Sequence, residues 1–138
     1  MDRTELLRRL FLESNLLPRT VETIERGTRI VLADSSFLDI MDSGVVLIYV
    51  SRKISCDQVM EYRERIRDSL MQLGAMKAMA GIEILSDSCH LAILRKVDFK
   101  LNLEEADEIK LRKLWNEYVR TIKIISILTQ RTSLKSRF

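Results

Sequence analysis

Between Arg29 and Ser51 the chain is cut into three short apolar, β-branched runs, and no other stretch restricts the fold so strongly. The runs Arg29–Ala33, Phe37–Met41 and Val45–Ser51 are separated by Asp34-Ser35-Ser36 and by Asp42-Ser43-Gly44. Both triplets have turn chemistry, since Asp and Ser bond to nearby backbone and Gly supplies positive φ. Strands joined by turns this short pair antiparallel, because a parallel crossover needs a dozen residues or more. The run Val45–Val50 is apolar at every position. That predicts a strand central in the sheet and covered on both faces.

Helical spacing flanks this meander. Thr4–Leu16 places Leu6, Leu7, Leu10 and Phe11 on one stripe, with Asp2 and Glu5 at the spacing of a capping box. Pro18 interrupts it, and Arg19–Arg26 reads as a second short helix stopped by Gly27. Beyond the meander, Ser55 and Gln58 open a helix to about Leu73, with Val59, Tyr62, Ile66 and Leu70 on its apolar face. Gly74 ends it. Ala75–Gly81 fits either a ragged helical turn or a loop. Ile82–Leu85 and Cys89–Leu94 flank Ser86-Asp87-Ser88 as a hairpin, and Val97, Phe99 and Leu101 continue its second strand as a half-exposed edge. Asn102 and Glu105 cap the longest helix, to about Leu128, where Leu111, Trp115, Tyr118, Ile122 and Ile125 follow 4-3-4-3 spacing. Ile122–Leu128 is β-branched enough to suit a strand, but the period favours helix.

The reading is an α+β fold. An antiparallel-rich sheet of about five strands, in the order β-β-β-α-β-β-α, follows two short N-terminal helices and packs its long helices on one face. One domain spans 1–130 and a flexible basic tail spans 131–138. At 138 residues and 46% hydrophobic, such a chain can bury a core without metal or disulfide. Cys56 and Cys89 are therefore expected as free thiols in a reducing compartment. No apolar run approaches the roughly 20 residues of a membrane helix, and the first residues lack a leader's apolar stretch. These features predict an intracellular protein, in the cytoplasm or the nucleus.

Catalytic constellations are sparse. His90 is the one histidine, there are four glycines, and no phosphate-cradling or nucleophile-elbow motif occurs. Cys56, at the start of a helix, is the best candidate nucleophile, with His90 as the base it would need. Glu83, Asp87, Asp98 and Lys100 resemble the carboxylate-and-lysine set of a metal-dependent nuclease. Each residue also has an ordinary role: a small core cysteine, a turn aspartate, the wet face of an edge strand. Phe37 and Tyr49 are expected in the core. No catalytic residue, metal, cofactor or small-molecule substrate is assigned, and the chain is read as a non-enzyme.

Two features remain. The C-terminal helix is apolar beyond one face, through Leu114, Val119, Ile124, Ile127 and Leu128, and such a helix has more than one neighbour. A self-associating interaction domain is therefore expected, using Leu6, Leu10, Phe11, Trp115, Tyr118, Ile122 and Ile125, with another copy or a second protein as partner. Secondly, the charge of +3 is uneven. Arg52-Lys53 and Arg95-Lys96 each follow a strand and precede a helix, while Arg131, Lys135 and Arg137 make the tail basic. If both pairs flank one end of the sheet beside helix N-termini, they form an anion-attracting edge. With Arg3, Arg8 and Arg9, that edge is the basis of the alternative reading, a nucleic-acid binder.

Overall fold

The computed structural model describes residues 3–13, 18–32, 36–72, 78–99 and 108–135, and places six strands in one antiparallel sheet. Helix α1 (Arg3–Glu13) precedes strands β1 (Thr20–Ile24), β2 (Gly27–Val31), β3 (Phe37–Met41) and β4 (Val45–Ile54). A 3-10 turn (Cys56–Gln58) leads into α2 (Val59–Gln72), then β5 (Ala78–Leu85), β6 (Ser88–Asp98) and α3 (Glu108–Lys135). The spatial order is β1-β2-β3-β4-β6-β5, so β1 and β5 are the edges. The expected α+β architecture is what the chain forms.

Several local expectations are corrected. Arg19–Arg26 contains a strand instead of a helix. Val21, Thr23 and Ile24 are β-branched, and β1 pairs with β2 from Thr20↔Val31 to Ile24↔Gly27 around a tight turn in which Arg26 takes φ 60. Gly27 is consequently a strand residue and not a helix cap. A Cβ there would stand 2.6 Å from the Ile40 carbonyl oxygen, so only glycine lets β2 and β3 approach. The ambiguous Ala75–Gly81 segment is strand from Ala78 onward, and residues 73–77 lie outside the described residues. Ile122–Leu128 is helical, and α3 continues into the segment expected as a tail, as far as Lys135. Ser55 makes no side-chain cap, although the Gln58 N–H donates to its carbonyl at 3.2 Å. Asp2, Asn102 and Glu105 lie outside the described residues.

The core is a single layer between sheet and helices. Ile30, Leu38 and Ile48 form one cross-strand row, and Val46, Val50, Leu91 and Ile93 extend the same face. Leu7 and Phe11, one helical turn apart, are fully buried against it from α1, and Tyr62 and Ile66 enter from α2. Leu111, Leu114, Tyr118, Ile125 and Leu128 enter from α3. Each such side chain contributes about 1.5–3 kcal/mol relative to exposure. All three helices share this face. β4 is indeed central, but the expectation of cover on both faces fails: Val46, Ile48 and Val50 are buried, whereas Val45, Leu47 and Tyr49 are only half-buried on the opposite side.

Cys56 and Cys89 form a disulfide, with Cα atoms 5.3 Å apart. Cys89 pairs with Ile54 in the β4–β6 ladder, so the turn that begins two residues later brings Cys56 back over it. The free-thiol expectation is corrected by this contiguity, which linear spacing does not reveal. With it goes the argument from cysteine to a reducing compartment. Among the described residues no helix is long and apolar enough to cross a membrane.

Candidate interaction surface

The helix-free face of the sheet carries polar and aromatic side chains arranged in cross-strand rows. One row crosses every strand: Thr20, Val31, Phe37, Tyr49, Leu94 and Met79. Beside it run Glu22, Arg29, Asp39, Leu47 and Lys96. On its other side lies a row of small residues, Ser51, Ala92 and Gly81, and then Lys53, His90 and Glu83. Side chains alternate between faces along each strand, so the pairing register alone sorts these residues onto one surface.

The rows are cross-linked. Arg29 Nε donates to Asp39 Oδ1 at 2.8 Å and Nη2 to Oδ2 at 2.9 Å, a bidentate pair. The Asp39 hydrogen bond raises the Arg29 pKa, against the opposing effect of burial. The same guanidinium lies 4.2 Å from the centre of the Phe37 ring, and Phe37 stacks on Tyr49 at 4.6 Å. Tyr49 reaches over the small-residue row, and its hydroxyl donates to Glu83 Oε2 at 2.8 Å. Burial, and then this bond to a carboxylate, push the Tyr49 pKa up to about 12. The result is a continuous chain, Asp39–Arg29–Phe37–Tyr49–Glu83, spanning the face. The expectation that Phe37 and Tyr49 pack in the core is corrected, since both belong to the uncovered side.

Two shallow depressions lie on this side. One, of 330 Å³, is lined by Tyr49, Leu94, Met79, Ala92, Gly81 and Glu83. The other, of 540 Å³, lies between the β1–β2 and β3–β4 turns and is lined by Met41, Val45, Leu47, Arg26 and Lys96 among others. β5 adds apolar exposure on this side at Met79, 66% exposed, and Leu85, 48% exposed, and on the opposite face at Ile84, 68% exposed.

The helix residues expected to meet a partner are drawn inward instead. Phe11, Tyr118 and Ile125 are buried in the chain's own core, and Leu6, Trp115 and Ile122 pack against it. The side chain of Leu10 lies outside the described part. The reason is geometric: α3 meets β4, β6 and α2, so most of its wide apolar stripe packs within the chain, while Ile109 and Ile127 stay exposed.

The two Arg-Lys pairs do not share an edge. β4 and β6 run antiparallel, with Lys53 opposite His90 and Lys96 opposite Leu47, so the two lysines stand six residues apart in register, about 20 Å. Within each pair the strand alternation divides the residues between faces. Arg52 Nη1 donates to Thr129 Oγ1 at 3.0 Å on α3, and Arg95, its side chain 6% exposed, meets Glu117 Oε2 at 2.6 Å. Only Lys53 and Lys96 lie on the open face. Of the other basic residues, Arg8 and Arg9 both approach Glu5, at 3.9 and 3.8 Å. Arg131 and Lys135 belong to α3 with side chains outside the described part, and Arg137 lies outside the described residues.

Nor do the catalytic candidates converge. Cys56 is bonded to Cys89, while His90 sits on the opposite face of β6. Ser88 Oγ donates to the Leu85 carbonyl at 2.9 Å and lies 2.9 Å from His90 Nε2. Glu83 lies opposite His90, Asp87 in the hairpin turn, and Asp98 eight residues beyond His90 on β6, about 27 Å away. Lys100 lies outside the described residues. Among the described residues no three His, Cys, Asp or Glu side chains gather as a metal site.

No family model matches the sequence, and no curated protein matches it. A solved structure does match the fold: YbjN from E. coli, described there as a proposed transcription regulator, is similar with a TM-score of 0.59 at 11% identity, over 94% of this chain and 92% of that one. At that identity the likeness shows a shared fold, across nearly the whole of both chains.

Proposed function

We propose that the protein is a non-catalytic interaction domain that associates with itself. The observation that carries this reading is β5. It is an edge strand of eight residues, Ala78–Leu85, with no Lys, Arg or Pro and with three large apolar side chains in water. Edge strands that stay unpaired are short, charged, bulged or proline-bearing, because a row of open N–H and C=O groups templates pairing with another chain. The opposite edge follows that rule: β1 has five residues, begins just after Pro18 and Arg19, and carries Glu22. Sedimentation velocity tests the reading. The expected result is a concentration-dependent species of twice the 16.1 kDa chain mass. A strict monomer at high concentration overturns it.

A second reading is supported by one arrangement. Lys53 and Lys96 share the helix-free face with the partly exposed Tyr49, and lysines beside an aromatic on a sheet suit single-stranded nucleic acid, although Glu22, Asp39 and Glu83 on the same face offset their charge. The description of YbjN as a proposed transcription regulator accords with it. However, the faces of Phe37 are already taken by Arg29 and Tyr49, which limits stacking on a base. Anisotropy with labelled single- and double-stranded oligonucleotides tests this reading. Affinity that falls steeply between 50 and 200 mM salt, values conventional for such a titration, supports it; absent or salt-independent binding rejects it.

A further inference from the structure

We infer that the partner at β5 is the β5 strand of a second copy, paired antiparallel about a two-fold axis that passes through Ile82. The inference rests on the self-association reading and specifies its surface and register.

The hairpin decides which backbone groups are available. Leu85 and Ser88 flank a two-residue turn, with Ser86 at φ 55, so they form a hydrogen-bonded pair. Hydrogen-bonded pairs alternate along an antiparallel ladder, so Met79, Gly81, Glu83 and Leu85 direct their N–H and C=O groups toward β6. Ala80, Ile82 and Ile84 present theirs to the outer edge, which no described strand pairs.

Symmetry then restricts the register. A two-fold axis that extends the sheet must stand perpendicular to it, which keeps both helix-free faces on one side. Opposed residues share a face, so even-numbered residues of β5 pair with even and odd with odd. Placing Glu83 on the axis sets it against the partner's Glu83, and placing Gly81 there sets Met79 against the partner's Glu83. Placing Ile82 on the axis sets Met79 opposite the partner's Leu85, Ala80 opposite the partner's Ile84 and Gly81 opposite the partner's Glu83. The three exposed apolar side chains of the edge, Met79, Ile84 and Leu85, thereby all face apolar residues. The outward backbone groups of Ala80, Ile82 and Ile84 meet their counterparts, for about six hydrogen bonds across the axis. The interface is isologous and closes as a dimer with one continuous sheet.

Gly81 supplies the test. A Cβ at this position meets nothing within 4 Å, so a side chain can start from it without a clash against the chain. In the inferred register Gly81→Glu opposes the partner's Glu83 twice per dimer, whereas Gly81→Lys complements it twice. The dimer Kd of these variants, by sedimentation equilibrium, is expected to differ by about tenfold, tightest for lysine. Combining Gly81→Glu with Glu83→Lys restores the affinity. A Met79→Cys/Leu85→Cys double variant forms intermolecular cross-links under mild oxidation. Met79→Cys alone does not, because its symmetry mate is about 20 Å away. A wild-type monomer overturns both the self-association reading and the register. A wild-type dimer whose Kd ignores the charge at position 81 and whose double variant stays uncross-linked overturns the β5 pairing while self-association stands.

Discussion

The Cys56–Cys89 disulfide joins two points 33 residues apart in sequence, and the loop it closes contains α2, β5 and the β5–β6 turn. Cross-linking removes conformational freedom from the unfolded chain. In the chain-entropy treatment a loop of this length is worth about 12.5 cal/mol/K, or about 3.7 kcal/mol at 25 °C. Unfolding entropy of about 2.1 cal/mol/K per residue gives roughly 0.29 kcal/mol/K for the whole chain, so reduction should lower Tm by about 13 °C. The assay is paired urea denaturation and calorimetry of the wild type with and without a phosphine reductant. The urea m-value should rise on reduction, because the released unfolded chain exposes more surface. A Cys56→Ala/Cys89→Ala variant serves as control, and its transition should not respond to reductant. A wild-type change under about 1 kcal/mol would refute the reasoning, since thiols that were never bonded gain nothing from the loop.

Glu117→Ala leaves the nearly inaccessible Arg95 without its counter-charge and should cost about 3–5 kcal/mol, whereas Arg95→Met with Glu117→Leu should stay near wild type by urea denaturation. Arg29→Ala strands the buried Asp39 carboxylate and should lower stability by about 2 kcal/mol; Asp39→Ala should cost less, because the partly exposed Arg29 regains water. Tyr49→Phe removes the hydroxyl bond to Glu83, an exposed contact worth about 1 kcal/mol at most. Because the Tyr49 pKa is raised from 10.0 to about 12, its contribution is complete below pH 10 and lost as pH climbs through 12. Ultraviolet titration should show a late-ionising tyrosine step in the wild type that is lost in the Tyr49→Phe variant.

The meander was legible because its signals are local. Asp42-Ser43-Gly44 must turn, and Phe37–Met41 and Val45–Val50 have no polar period that a helix could use. β1 was not, because Arg19–Arg26 carries Glu22, Glu25 and Arg26 at spacings that also suit an exposed helix. What makes it a strand is the template offered by β2, a tertiary effect that overrides weak propensity. The disulfide was hidden for a similar reason: Cys56 and Cys89 become neighbours only once β6 lies beside β4.

Most helix residues expected at an interface are packed inside the chain instead. A helix apolar on more than one side does have more than one neighbour, and α3 has three, β4, β6 and α2, all within the chain. Three exposed apolar side chains gather on the single strand β5, whose first half the sequence offered as either a ragged helical turn or a loop. Its edge position depends on strand order: β6 inserts between β4 and β5, so the shorter-ranged hairpin partner is pushed outward. Nothing in Ala78–Leu85 encodes that order, and the strand's apolar composition is what the proposed pairing accounts for. A strand this apolar, lacking any charged or proline guard except Glu83, is a hazard when left open and a specific joint when paired with itself. Glu83 then has a definite task, since it penalises the register that brings two copies of itself together and permits the one centred on Ile82.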